Sequence, residues 1–202
     1  MPPDVRVVAF DLMDTVLTDP FRDALRAATG REPVELFALR DREIYPAFER
    51  GEIVEEAYWA HFAERGVEVD PAAFHRVRRA GIGWIEGMDT LLDDLAGTVL
   101  RVTASNYPLW VDELTGLLSG RFEWVLASHH LGARKPDADF YLRLAERIGH
   151  DPRHIAFLDD RQDNVDGARQ VGMQARRFTG VEDVRCWLDE LGISRRAGPR
   201  RG

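Results

Sequence analysis

Four short apolar runs end on polar residues of kinds that handle metal and phosphate. Residues 5–10 lead into Asp11, Asp14 and Thr15, and residues 98–103 close on Thr103, Ser105 and Asn106. The stretch after 124–127 leads to Lys135, and 154–158 runs into Asp159, Asp160, Asp163 and Asn164. Any one set is ordinary, because Asp, Ser and Asn cap helices and open turns. Four sets at successive ends ask for a common purpose. Mg²⁺ takes oxygen ligands, commonly one or two carboxylates completed by water and substrate phosphate; Asp11 and Asp160 would supply the carboxylates. An aspartate can also attack phosphorus and carry the phosphoryl group until water releases it. The group in transfer needs positive charge and hydrogen-bond donors on its outer oxygens, which Lys135, the Ser105 hydroxyl and nearby main-chain N–H groups offer.

Lys135 stands out for a second reason. It is the only lysine in a chain whose other basic residues are all arginine. Arginine is planar and forked and does not replace a compact ammonium in a tight site.

The elements that would position these residues follow from periodicity. Residues 5–10 read as a buried strand. From 19 to 80 the apolar residues recur at helical spacings, through 21–28, 34–48, 54–62 and 74–77, with Gly30, Gly51 and Gly66 as punctuation. Gly81, Gly83 and Gly87 mark a join. Beyond it helices and strands alternate: helix 91–95, strand 98–103, helix 109–118, strand 124–127, helix 136–148, strand 154–158, helix 165–171, strand 174–178 and helix 184–191. Such alternation implies right-handed crossovers and a parallel sheet with helices on both faces. The expected architecture is a doubly wound α/β domain, 1–18 with 84–193, split by an all-helical insert at 19–83 and followed by a disordered basic tail at 194–202. Ligands of such sheets bind at the carboxyl ends of the strands, where the polar sets fall.

Composition narrows the function classes. The 202 residues carry a net charge of −8, which argues against a nucleic-acid partner. A single cysteine, Cys186, rules out a disulfide scaffold and a cysteine zinc site and suits a reducing cytoplasm. No apolar stretch is long enough to predict a membrane span, and no signal pattern opens the chain. No pattern specifies an oligomeric state.

The polar sets also have a familiar order. Phe10-Asp11-Leu12-Met13-Asp14-Thr15-Val16-Leu17 resembles the first motif of the haloacid dehalogenase-like (HAD) hydrolases. Ser105-Asn106 resembles the second, Ala133-Arg134-Lys135-Pro136 the third, and Phe157-Leu158-Asp159-Asp160 with Asn164, Gly167 and Ala168 the fourth. The resemblance covers residues 5 to 190, and the insert, with Arg50-Gly51-Glu52-Ile53 near its middle, resembles the small helical cap of subfamily IA. It implies a Rossmann-like core and a set of roles. Asp11 would be nucleophile and Mg²⁺ ligand, joined as ligands by Asp160 and the Met13 main-chain carbonyl. Ser105 would bind the phosphoryl group with Asn106 in support, and Lys135 would neutralise charge between nucleophile and phosphoryl group. Thr15 would shape the turn after the nucleophile, and Asp159 would orient a ligand or water from behind. Met13 departs from the pattern: phosphatases of this superfamily usually carry an aspartate there as acid to the leaving group. Asp14 is the nearest other carboxyl.

The resulting expectation is a Mg²⁺-dependent phosphatase acting on a small phosphorylated metabolite. Two alternatives stand beside it: a non-catalytic phosphate-binding or regulatory protein, for which Met13 speaks, and a haloacid dehalogenase, against which the adjacent Asp159 and Asp160 speak. Trp84 and Tyr107 are expected near the cleft as substrate contacts, and His129-His130 in a solvated loop.

Overall fold

Alternation along two central strands sorts the core into two layers. In β1 (Val7–Phe10) and β3 (Ile155–Asp159), Val8, Phe10, Ala156 and Leu158 join one apolar cluster, while Val7, Ala9, Ile155 and Phe157 join another. Every one of these side chains is fully buried, as expected for a parallel sheet covered on both faces. The computed structural model describes residues 4–193, so the tail read at 194–202 lies outside the described residues. With β2 (Leu100–Thr103) and β4 (Gln174–Arg177) the sheet is parallel in the order β2-β1-β3-β4.

Register brings the strand ends level. Phe10 pairs with Thr103 on one side and Leu158 on the other. Ala104 N–H donates to the Phe10 carbonyl at 2.7 Å, and Asp11 N–H to the Leu158 carbonyl at 2.8 Å. Asp11, Ser105, Asp159 and Asp160 therefore emerge from one edge of the sheet, the end at which open α/β sheets take ligands.

Among the described residues, six helices lie between β1 and β2, and the first five form the insert: α1 (Phe21–Thr29), α2 (Pro33–Leu39), α3 (Ile44–Glu49), α4 (Glu55–Ala63) and α5 (Pro71–Gly81). The helix expected over 34–48 is broken in two. Asp41 is the cause: its carboxylate accepts from Glu43 N–H at 2.8 Å, and its own N–H donates to His61 Nε2 at 3.1 Å. Then come α6 (Met88–Leu95), a 3-10 turn (Leu109–Leu114), α7 (Thr115–Leu118), α8 (Ser128–Leu131), α9 (Ala138–Ile148), α10 (Gln162–Gln170) and α11 (Val181–Glu190). No helix among the described residues is long and apolar enough to cross a membrane.

Three further expectations need correction. Residues 124–127 do not form a strand; they meet β2 and the chain beyond it through isolated parallel bridges, Val102 to Trp124 and Ser105 to Ala127. Thr103 explains this. Its hydroxyl donates to the Leu126 carbonyl at 2.8 Å and accepts from Leu126 N–H at 2.7 Å, so a side chain occupies the place of the ladder. The helix expected at 109–118 is a 3-10 turn followed by one α turn. His129 and His130 belong to helix α8 rather than a solvated loop, and His130 is held by Ala127 N–H at 3.2 Å and Asp112 at 3.0 Å.

The insert is tied to the sheet region at several points. Trp110, from the 3-10 turn, lies 4.9 Å from Phe74, 5.2 Å from Phe48 and 6.3 Å from Trp59 between ring centroids. Its indole N–H donates to Glu55 at 3.0 Å. Buried Arg78 and exposed Arg79 on α5 both bond Glu113, whose carboxyl they hold down at about 2. The chain's two passages between sheet and insert are laced together as well: Thr18 Oγ1 donates to the Gly81 carbonyl at 2.7 Å and accepts from Gly83 N–H at 3.0 Å.

Candidate active site

A tight loop follows Asp11. Val16 and Leu17 N–H both donate to the Leu12 carbonyl at 2.8 Å, and Asp14 takes a left-handed backbone, φ 58°. Asp tolerates that conformation better than most residues. Thr15 is fully buried in this loop, and its hydroxyl has no hydrogen-bond partner among the described residues.

Lys135 reaches the strand ends from a turn rather than from a helix start, since α9 begins only at Ala138. Asn106 holds this turn from the far side of the sheet edge: its amide donates to the Lys135 carbonyl at 2.9 Å and accepts from Lys135 N–H at 2.8 Å. The Asn106 side chain thus aims Lys135. The ammonium, only 1 % exposed, donates to Asp11 at 2.7 Å and to Asp159 at 2.5 Å. The Phe157 and Phe140 rings lie 5.4 and 5.9 Å from it. α10 comes close enough to cover this turn because position 167 is glycine. A β-carbon there would stand 2.4 Å from the Pro136 carbonyl oxygen.

The three neighbouring carboxylates differ in what remains free. Both Asp159 oxygens are committed, to Lys135, to the Asn164 amide at 2.9 and 3.0 Å, and to Arg161 N–H at 2.9 Å. Asp11 gives one oxygen to Lys135 and keeps the other. Asp160 is half-buried, and its main-chain carbonyl is fixed by Arg177 at 2.8 Å. One ligand atom from each of Asp11, Asp159 and Asp160 falls within 4.8 Å of the others. Burial drives Asp11 up to about 7 despite Lys135, and Asp159 and Asp160 push the same way. Asp160 is raised too, by burial first and then by Asp159. Burial pulls the Lys135 ammonium down, but Asp11 and Asp159 outweigh it and hold it above its ordinary value. Three carboxylates around one ammonium are short of positive charge. A divalent cation fits that deficit, and the oxygens open to it are on Asp11 and Asp160.

Beside this cluster lies a cavity of about 180 Å³ lined by Asp11, Met13, Asp14, Ser105, Lys135 and Asp160, together with Asp19, Glu49, Asn106, Arg134, Arg161 and Asn164. Most of the residues singled out by sequence therefore meet at one place, while Thr15 and Asp159 stand behind its wall. Trp84 and Tyr107 do not line it: Trp84 pairs with Leu17 in an antiparallel bridge, and the Tyr107 hydroxyl accepts from Arg78 at 3.4 Å. Glu49, Asp19 and Arg161 line it without having been noticed in the sequence. Glu49 did leave a trace there, since it falls four residues after Tyr45, on the apolar stripe of α3.

Comparison with known proteins agrees with this geometry. The family model of the haloacid dehalogenase-like hydrolases matches residues 5–172. A flavin mononucleotide hydrolase of Arabidopsis thaliana chloroplasts is 32% identical over 191 residues, covering 93% of this chain and 78% of the relative. The sesquiterpene phosphatase astK of Aspergillus oryzae is 28% identical over 72% of this chain and 77% of its own. Among solved structures, a HAD family enzyme of Bacteroides thetaiotaomicron in complex with magnesium and inorganic phosphate superposes with a TM-score of 0.71. That match has 17% identity and covers 86% of this chain and 93% of the other. The chain belongs to the haloacid dehalogenase-like hydrolases, and it is an enzyme.

Proposed function

We propose that this hydrolase is a Mg²⁺-dependent phosphatase of small phosphate monoesters, working through an aspartyl-phosphate on Asp11. The observation that carries the reading is the Asp11–Lys135–Asp159 bridge: Asp11 is held by one oxygen while the other faces a cavity flanked by Asp160 and Ser105. Asp11, Asp160 and the Met13 main-chain carbonyl would hold the cation. When bound, it would keep Asp11 ionised and draw charge from the phosphoryl oxygens.

The chain's own residues then divide the work. Lys135 lies against the nucleophile and offers its remaining N–H to a phosphoryl oxygen. Ser105, 1 % exposed at the end of β2, donates from the opposite wall. Asn106 and Asp159 fix Lys135 from two directions, so that nucleophile and counter-charge are oriented before substrate arrives. The five-helix insert acts as a cap, contributing Glu49 to the wall and excluding water.

The cavity favours a phosphoryl group with a small polar remainder. About 180 Å³ is well below the roughly 300–1,000 Å³ of pockets that enclose drug-sized ligands. A haloacid substrate fits poorly, since without a cation the carboxylates around Asp11 oppose its ionisation. A cytoplasmic location is part of the proposal, supported by a lone exposed cysteine.

A panel of phosphorylated metabolites, with flavin mononucleotide among them, tests the reading. Phosphate release should require Mg²⁺, stop reversibly on chelation and vanish in Asp11→Asn. Full activity in excess EDTA would refute it. Binding of Mg²⁺ and phosphate without turnover of any ester would favour the phosphate-binding alternative.

A further inference from the structure

Loss of the phosphoryl group leaves an oxygen that needs a proton, and at position 13 a thioether stands where the resemblance expects a carboxyl. Besides Asp11 and Asp160, three carboxyls line the cavity: Asp14, Asp19 and Glu49. Two of them brace the loop. Asp14 accepts from Asp19 N–H at 3.3 Å, and Asp19 accepts from Phe21 N–H at 3.0 Å. Glu49 is placed differently. It closes helix α3 in the insert, is 4 % exposed, and has its main-chain carbonyl pinned by the Ser128 hydroxyl at 2.8 Å. Its Oε2 accepts from Arg134 Nε at 2.9 Å, and Oε1 accepts no hydrogen bond from any described residue. Arg134 immediately precedes Lys135, so the chain that aims the counter-charge at the phosphoryl group also fixes this carboxyl.

The geometry points to Glu49 as the proton donor to the leaving-group oxygen, an inference that rests on the phosphatase reading above. Asp11 attacks phosphorus, the bond from phosphorus to the leaving oxygen breaks, and its electron pair stays on that oxygen. The Glu49 proton joins it there, and the alcohol departs. The Glu49 carboxylate then takes a proton from the water that attacks phosphorus in the aspartyl-phosphate. This frees inorganic phosphate and restores both carboxyls. Its environment suits the role. Burial lifts Glu49 to about 7 against Arg134, Lys135 and Arg40; Tyr45 on its own helix and Tyr58 on α4 are the other titratable neighbours, and the His129 ring on α8 packs beside Gly51, two residues on. A donor works best when its acidity lies near the working pH. The acid thus sits on the insert, and the proton is available only while the insert covers the site.

The test is single-turnover release of the leaving group from ethyl, phenyl and acetyl phosphate, by wild type and Glu49→Gln, with Mg²⁺ and phosphate affinity measured alongside. Ethyl phosphate should slow by about 10²–10⁴-fold, the usual worth of a positioned acid. Acetyl phosphate, whose leaving group needs little proton help, should lose at least tenfold less. The wild-type fall in rate above about pH 7 should disappear in Glu49→Gln. Adding Met13→Asp to Glu49→Gln should return part of the ethyl phosphate rate, and Glu49→Asp, which keeps an acid, should retain more than Glu49→Gln. Equal losses on all three substrates, or an unchanged pH profile, would show that Glu49 only holds Arg134. That outcome overturns the inference while leaving the phosphatase reading in place. A wild type that releases no leaving group overturns both.

Discussion

Replacing Lys135 with methionine removes the one cation among the described residues that bonds both Asp11 and Asp159, in a place where water cannot take over. The ammonium is 1 % exposed, lies 2.7 and 2.5 Å from its two carboxylates, and is walled by Phe140 and Phe157. Breaking a buried pair by removing one partner costs about 3–5 kcal/mol. That is a large part of the ~5–15 kcal/mol that holds a domain folded. The loss should depend on pH, because a proton can replace the missing charge. Apart from the lysine's own proton, the variant's native state binds up to one more proton than the wild type's above about pH 7, where wild-type Asp11 is ionised, while the unfolded chains bind alike. Its stability therefore falls faster with rising pH, by about 1.4 kcal/mol per unit. A group raised in the folded state lends its stability at low pH and loses it as pH climbs through the folded value, and Asp11 starts at about 7. From about pH 8 down to about pH 5 the variant should regain ~1.4 kcal/mol relative to wild type, most of it above pH 7, because below that wild-type Asp11 takes up its own proton. Urea unfolding followed by tryptophan fluorescence, in EDTA at three pH values, measures this. A deficit below about 1 kcal/mol at pH 8, or one that does not shrink toward pH 5, would refute the claim that this ammonium balances the site.

Lys135→Arg keeps the charge but not the shape; a forked guanidinium cannot sit between two carboxylates in that closed turn, so steady-state kinetics should show kcat falling by about 10²-fold or more with the fold retained. Gly167→Ala should cost about 1–3 kcal/mol in urea unfolding, because the new methyl meets the Pro136 carbonyl oxygen at 2.4 Å and Tyr141 at 3.0 Å. No change in stability would mean that α10 has room to retreat.

The strand ends were legible in the sequence because each is local: an apolar run stops, and an aspartate or a serine follows within two residues. A parallel sheet then brings separate ends level without further instruction, which is how Asp11, Ser105, Asp159 and Asp160 came together. Lys135 was legible by rarity. What stayed hidden depends on partners distant in sequence. Thr103 reads as one more polar strand end, but its hydroxyl is consumed by Leu126, and with it the strand expected at 124–127. Asn106 reads as a phosphate contact in the sequence, and its two bonds to the Lys135 main chain show only in the fold. Trp110 gives no sign in the sequence that it plugs into an aromatic cluster built from the insert. Glu49 shows only as a charge on an apolar stripe, since its burial and its bond to Arg134 appear only once the insert is folded against the sheet.

Amine chemistry meets a single ε-amino group in this chain, and folding hides it. An acylating reagent in water can reach Lys135 only when the turn carrying it leaves Asp11 and Asp159, because the nitrogen is otherwise buried and protonated. The modification rate of the native protein, divided by that of a denatured sample, would equal the fraction of time the site stands open. Mass spectrometry could read it at one residue without an introduced label. The lysine that holds Asp11 in place is thereby also a clock for the site's own breathing.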